Sequence, residues 1–430
     1  MPEALRIGIA GLGTVGGGLV RLLQKNGAQI AARAGRPIEI THVNARDKAK
    51  DRGVDLSAYQ WVDNPLELAD KGGPDIVVEL IGGSEGVAKE LVEKSLSAGK
   101  HVVTANKALL AHHGMALAAL AEETGACLNY EAAAAGGIPI IKSLREGFAA
   151  NNIESLYGIL NGTCNYILTQ MRESGRAFED VLREAQEKGY AEADPSFDID
   201  GVDTAHKLCL LTALAYGVRP DIEALKITGI RKISALDISF VEELGYRVKL
   251  LGIAQRLNGK IMQTVEPCLV PRKNSLAFVG GVFNAVFTKG DFAGASMVTG
   301  RGAGAGPTAS SVAADLIDLA RGIHLPVFGV SSGALQKAEW VEEKDIVNCY
   351  YLHFYVHDKP GVIADLSAIL KKYDISIERF IQPGQGGEAS VSIVMVTHET
   401  DKASMRRAIE EMKELSALTQ EPVCLRIERI

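Results

Sequence analysis

The sequence predicts an α/β protein of three units: a doubly wound parallel sheet, then an α+β unit, then a ferredoxin-like β-α-β-β-α-β unit. Three observations predict it. Apolar runs of strand length alternate with helical patterns over residues 1–137, the mark of a parallel sheet covered on both faces. The glycine run Gly11-Leu12-Gly13-Thr14-Val15-Gly16 stands between the first strand-like run and the first helical pattern. The order strand, helix, strand, strand, helix, strand follows Cys349.

The elements follow in order. Leu5–Ala10 is a short apolar run, and a helical pattern extends from Gly17 to about Asn26. Ile38–Asn44 and Asp75–Ile81 read as strands, a helix from Gly86 stops at Gly99, and His101–Ala105 is again β-rich. After Gly137 the pattern changes. Ile153–Asn161 is strand-like, Phe178–Lys188 helical with Gly189 as its stop, and Asp203–Tyr216 a helix closed by Gly217 with Pro220 beyond. Residues 260–300 hold β-rich runs broken by glycine, and the glycine-rich Gly300–Gly306 leads into a helix over Thr308–Arg321. In the last unit Tyr350–Val356, Ser376–Gln382, Ser390–Thr397 and Val423–Ile430 read as strands, and Gly361–Tyr373 and Asp401–Leu415 as helices. The expected division is 1–137, 138–330 with 300–325 packing back on the first unit, a linker over 330–348, and 349–430.

Composition narrows the function classes. The formal charge of −7, from 46 basic and 53 acidic residues, argues against general attraction to nucleic acid or anionic membrane. Cysteines 127, 164, 209, 268, 349 and 424 form no C-x-x-C pair and no zinc-spaced cluster; buried, reduced thiols in a cytoplasmic protein are expected. The start of the chain lacks a leader's apolar stretch, and no run reaches the ~20 residues that span a bilayer.

The glycine run carries the first chemistry. In a G-x-G-x-x-G that follows a strand and opens a helix, the first glycine makes the turn, the second lets backbone approach a pyrophosphate, and the third allows close helix–strand packing. The helix start adds N–H groups and partial positive charge. Gly11, Leu12, Gly13, Thr14, Val15 and Gly16 are therefore expected to bind a dinucleotide in a Rossmann domain. The second strand ends Val43-Asn44-Ala45-Arg46, without the carboxylate that would accept from a ribose 2′-OH. Arg46 suits a 2′-phosphate, so NADP is expected, with NAD or dual use left open. Thr104-Ala105-Asn106-Lys107 stands at a strand's carboxyl end, where open α/β sheets bind ligands. Lys107 there is either an active-site group or a surface lysine.

The richest segment is 189–207. Glu192, Asp194, Asp198, Asp200 and Asp203 crowd one loop and would repel one another without a cation among them. A calcium EF-hand with Gly201 sixth would need a bidentate Glu where Lys207 stands, which excludes that pattern. A substrate ammonium is the better cation. Asp203 and Lys207 are four residues apart on a helical face that also bears Leu210, Leu211 and Leu214. A lysine buried on such a face loses its charge more readily and can serve as acid or base.

The pattern Ala185-x-x-x-Gly189-Tyr190-Ala191-x-x-Asp194-Pro195-x-x-Asp198-Ile199-x-Gly201-x-Asp203-x-x-x-Lys207 resembles the signature of the homoserine dehydrogenase family. Asn161–Leu168, Thr104–Lys107 and Gly302–Gly306 resemble that family too, so the likeness spans nearly the whole chain. It implies an NAD(P)-dependent enzyme interconverting L-homoserine and L-aspartate 4-semialdehyde in threonine, methionine and isoleucine biosynthesis. Implied roles are Lys207 as proton donor and acceptor, Lys107 holding the reacting oxygen beside the cofactor, and Glu192, Asp198 and Asp203 binding substrate. Thr104, Gly304 and Gly306 are implied at the cofactor, and Glu131, Ala134, Gly136 and Ile138 as ligands of a monovalent cation, sodium. Asp358–Leu366 resembles the turn of an ACT domain, implying regulation by L-threonine. A homodimer or homotetramer is expected, and with no kinase-like segment before Leu5 a monofunctional form. Two rivals stand beside this reading: another NAD(P)-dependent amino-acid oxidoreductase, and a non-catalytic cofactor and amino-acid sensor.

Overall fold

A computed structural model describes residues 3–382 and 390–430. The first sheet is built from β1 (Leu5–Ala10), β2 (Ile38–Asn44), β3 (Gln60–Trp61), β4 (Ile76–Glu79), β5 (His101–Thr104) and β6 (Leu128–Asn129). They lie in the order β3-β2-β1-β4-β5-β6, every pair parallel. β1, β4 and β5 are almost wholly buried, as strands covered on both faces must be. The covering helices are α1 (Thr14–Ala34), α2 (Val87–Ser97) and α3 (Lys107–Thr124). α1 continues well past Asn26, because alanines carry it past Gly27 until left-handed Gly35 (φ 79°) ends it. α3 is absent from the sequence reading, its apolar residues being spread around the helix rather than gathered in a stripe.

The middle unit supplies α4 (Ile140–Lys142), β7 (Ile153–Ile159), α5 (Gly162–Ser174), α6 (Phe178–Glu187), α7 (Ser196–Ile199) and α8 (Val202–Tyr216). Then come β8 (Lys226–Ile227), α9 (Ala235–Glu243), β9 (Tyr246–Leu257), β10 (Lys260–Pro271), β11 (Phe283–Gly290), β12 (Gly294–Arg301) and α10 (Ala305–Ala320). α10 lies against α1: a Cβ on Gly18 would come within 2.5 Å of the Ala305 carbonyl. Ala309, Val312, Ala313 and Leu316 enter the core around Ile7, Ile9 and Leu19.

The last unit is β13 (Val347–Val356), α11 (Val362–Lys372), β14 (Ile377–Ile381), β15 (Val391–Thr397), β16 (Thr400–Asp401), α12 (Lys402–Met412) and β17 (Val423–Ile427). Its strands do not form a separate sheet. β17 pairs antiparallel with β13 and parallel with β10, through Cys268↔Arg426 and Leu269↔Ile427. One eleven-stranded sheet results, its main path β12-β11-β7-β9-β10-β17-β13-β15-β14. Five cysteines are buried and Cys424 is half-buried, all as free thiols. No helix among the described residues is long and apolar enough to cross a membrane.

Candidate active site

The three glycines of the first turn have three distinct environments. Gly11 is left-handed (φ 100°), and a Cβ there would meet the Leu80 carbonyl at 2.5 Å. A Cβ on Gly16 would fall 2.0 Å from the Gly11 carbonyl, whereas around Gly13 there is nothing within 4 Å. Turn, open approach and tight packing are what a pyrophosphate cradle needs. Leu12 is buried, while Thr14 and Val15 begin α1 beside the open position.

At the tip of β2 the Asn44 amide is buried and donates to the Val62 and Asp63 carbonyls at 2.9 and 3.1 Å. Arg46 follows it, exposed, with Lys48 and Lys50. Sequence reasoning missed Arg52, whose Nε donates to the Leu12 carbonyl at 3.1 Å. Lys48 and Arg52 both lie over the Trp61 ring, at 5.6 and 5.8 Å. Only the distant return of β3 creates that basic, aromatic-backed edge, so nothing local in the sequence signals it.

Glu79, at the tip of β4, is a second omission. Fully buried, it accepts from the Ile81 and Gly82 amides at 2.7 and 3.0 Å and from the Thr104 hydroxyl at 2.6 Å. Thr104 accepts in turn from the Asn106 amide at 2.9 Å. Its hydroxyl is thus a strut of the sheet's edge and turns no free proton toward a ligand. Asn106 caps α3 and ties it to Gly83, which sets Lys107 at the helix start.

Lys107 and Lys207 converge on one carboxylate. Lys207, on α8, lies 2.6 Å from Asp203 and donates to the Leu160 carbonyl at 2.7 Å. Lys107 reaches the other Asp203 oxygen at 3.3 Å and lies 5.7 Å over the Phe197 ring. The Asn161 amide bridges Asp198 and Asp203, at 2.7 and 2.8 Å. Burial pushes the Asp203 carboxyl up, but Lys207, then Lys107, and the hydrogen bonds outweigh it and hold the group well below the usual range. Asp198 is raised instead, by burial first and then by Asp203. The helical face buries Lys207 as its apolar neighbours predict; the buried ammonium, however, has a counter-ion.

These groups line a cavity of about 560 Å³ that also takes in Val15, Ala105, Gly136, Gly162, Thr163, Asn284 and Gly304. Glu192 is an exposed residue of its lining. Gly304 (φ 118°) caps α10, whereas Gly306 lies one residue inside that helix and outside the lining.

The stretch of Glu131, Ala134, Gly136 and Ile138 runs through the buried seam beside α10. Ala135 (φ 54°) and Gly136 (φ 45°) are consecutive left-handed residues, a turn that redirects successive carbonyls. The Gly136 carbonyl accepts from Ser311 Oγ at 2.5 Å. The Glu131 carboxyl accepts from the Ile141 and Lys142 amides, and burial, then Asp315, pushes it up to about 8. Among the described residues no cluster of three or more His, Cys, Asp or Glu could hold a metal. At the far turn, Asp358–Gly361 is exposed and left-handed Gly361 (φ 98°) opens α11.

Family models described as homoserine dehydrogenase, homoserine dehydrogenase NAD-binding domain and ACT domain match residues 139–317, 11–131 and 350–417. The homoserine dehydrogenase of Neisseria gonorrhoeae is 43% identical, with 100% of this chain and 99% of that one covered. That of Pseudomonas aeruginosa is 42% identical over 100% of both. The crystal structure of a Thiobacillus denitrificans homoserine dehydrogenase superposes with a TM-score of 0.93 at 42% identity, covering 99% and 98% of the two chains. A hyperthermophilic archaeal homoserine dehydrogenase in complex with NADPH gives 0.63 at 29% identity, over 74% of this chain and 97% of that one. The chain therefore belongs to the homoserine dehydrogenase family, the NAD(P)-dependent oxidoreductases that interconvert L-homoserine and L-aspartate 4-semialdehyde.

Proposed function

We propose that Lys207 is the proton-transfer residue and that Lys107 and Asp203 organise the reacting centre. The convergence of both lysines on buried Asp203 carries this reading. An ammonium has three N–H donors; Lys207 commits one to Asp203 and one to Leu160, leaving one for a substrate oxygen. In the reducing direction that proton goes to the oxygen as negative charge develops on it, and Lys107 stabilises the charge from the other side. In the oxidising direction Lys207 takes the hydroxyl proton. Asp198 and Glu192 receive the substrate ammonium. The nicotinamide cofactor supplies the hydride step.

NADP is the preferred cofactor in this proposal. With Asn44 rather than a carboxylate at the β2 tip, Arg46 receives the 2′-phosphate, and the edge formed by Lys48, Arg52 and Trp61 supports it. The Gly11–Gly16 turn takes the pyrophosphate and Gly304 borders the nicotinamide end; Thr104 serves by holding that edge through Glu79. The backbone carbonyls of Glu131, Ala134, Gly136 and Ile138, on either side of the left-handed Ala135–Gly136 turn, are the proposed donors to a monovalent cation, with the buried Glu131 and Asp315 carboxyls in the same seam. Bound there, a cation such as sodium would brace the seam between the first and middle units. The units proposed are a Rossmann domain over 1–137, a catalytic and dimerisation domain over 138–330 with 300–325 returned to the first, and an ACT domain over 349–430. They work in a cytoplasmic homodimer or homotetramer with no nucleic-acid or membrane partner. L-Threonine at the Asp358–Gly361 turn would regulate the enzyme by binding two states of the protein unequally.

Absorbance at the reduced-nicotinamide band, with L-homoserine and either NADP+ or NAD+, tests the reading. Homoserine-dependent reduction, faster with NADP+ and slowed by L-threonine, is expected. Equal rates with both cofactors would refute the Arg46 assignment, and an unchanged rate with threonine would refute the effector.

A further inference from the structure

Asn284, on β11, is 1% exposed, and neither its Oδ1 nor its Nδ2 has a hydrogen-bond partner among the described residues. It lines the cavity that holds Val15, Lys107 and Lys207. Its backbone is well anchored: it pairs with Gly300 on β12, and its carbonyl accepts from Thr299 Oγ1 at 3.0 Å. Two glycines make room for the side chain. A Cβ on Gly302 would fall 2.1 Å from Oδ1 and 2.4 Å from Nδ2, and one on Gly162 3.7 Å from Oδ1. A donor and an acceptor buried together without partners are expensive to keep, and an apolar residue would fill the position without that cost.

The unmet pair specifies its complement. A carboxylate would satisfy only Nδ2, and an ammonium only Oδ1. A carboxamide presents one acceptor and one donor side by side and satisfies both. The cavity that Asn284 lines also takes in Val15 at the start of α1, Lys107 and Lys207, and the carboxamide on offer there is that of the nicotinamide ring.

We propose that Asn284 pairs with the nicotinamide carboxamide and so sets the orientation of the ring toward the substrate. The proposal rests on the nicotinamide-dependent activity of the family. Gly302 lies across the Asn284 amide, so the pairing requires the Arg301–Gly304 segment to move aside.

Titration calorimetry with NADP+ and with its 3-acetylpyridine analogue tests this, because the methyl ketone keeps the acceptor and lacks the donor. The wild-type chain should bind the analogue about tenfold more weakly, the loss expected for one hydrogen bond left unmade in a buried site. Asn284→Ala should bind NADP+ about tenfold more weakly or worse and should no longer distinguish the two ligands. The KM for homoserine should move less than the cofactor affinity. Asn284→Leu, close in size but with neither donor nor acceptor, serves if the alanine variant does not fold, and should lose the same discrimination. Full discrimination in a folded variant, none in the wild type, or a change confined to the KM for homoserine would overturn the assignment. A wild-type chain that bound neither ligand would instead refute the nicotinamide reading beneath it.

Discussion

Lys207 and Asp203 are one i,i+4 pair on α8, yet the two side chains do different work. Removing the ammonium takes away the proposed proton carrier, whereas the glycine turn proposed to hold the cofactor lies on another unit. Lys207→Ala should therefore lose at least about a hundredfold in kcat while binding NADPH as before, as read by steady-state rates and cofactor fluorescence; full activity would sink the assignment. The neighbouring His206 makes a pH prediction. Burial first, then His112 and Lys107, push it from an ordinary 6.5 down to about 4. The folded chain then binds fewer protons than the unfolded one between those values, so the stability this group contributes is complete above pH 6.5 and is lost as the pH falls toward 4. Melting curves at pH 7 and 4.5 should show His206→Gln losing less stability across the window than the wild type, by on the order of 2 kcal/mol. Equal losses would mean that other groups govern the acid limb.

The βα turn of the first unit shows what an element's sequence can reveal. Gly11, Gly13 and Gly16 were legible because each glycine answers to a local steric fact, and the structure gives each its own environment. Gly16→Ala should push its Cβ into the Gly11 carbonyl, raise the KM for cofactor severalfold or more and cost about 1–3 kcal/mol of stability; an unchanged KM would show that the turn adapts. The Asp203–Lys207 face was legible too, because a helix places residues four apart together. Glu79, Arg52 and Asn284 were not. Each gains its position from strand pairing, β4 with β1 and β5 for Glu79, β2 with β3 for Arg52 and the β11–β12 hairpin for Asn284, and no spacing rule reads those neighbours from the sequence. α3 was missed for another reason: its apolar residues surround the helix, and periodicity has nothing to detect there.

At the scale of the molecule, the last strand decides how the units are joined. The sequence divides the chain at a linker, but β17 inserts between β10 and β13, and the Glu428 amide donates to the Leu269 carbonyl at 2.9 Å. The join carries buried charge. Arg426, 3% exposed, is ion-paired with buried Glu428 and lies 3.4 Å from Glu266 on β10. Removing the guanidinium would leave two carboxylates facing each other in a poorly solvated place, which costs about 3–5 kcal/mol when one member of a buried pair is deleted. Sheet continuity makes the middle and last units unfold together, so calorimetry of the wild-type chain should show no separate melting of residues 347–430. In Arg426→Met that segment should detach first, as a new transition at lower temperature, and Glu428→Gln added to the same chain should recover part of the loss by removing one stranded charge. A wild-type chain whose last unit already melts alone would mean that the β10–β17 pairing contributes little. A signal from the proposed effector turn at Asp358–Gly361 would then have to reach α8 by a route other than this sheet.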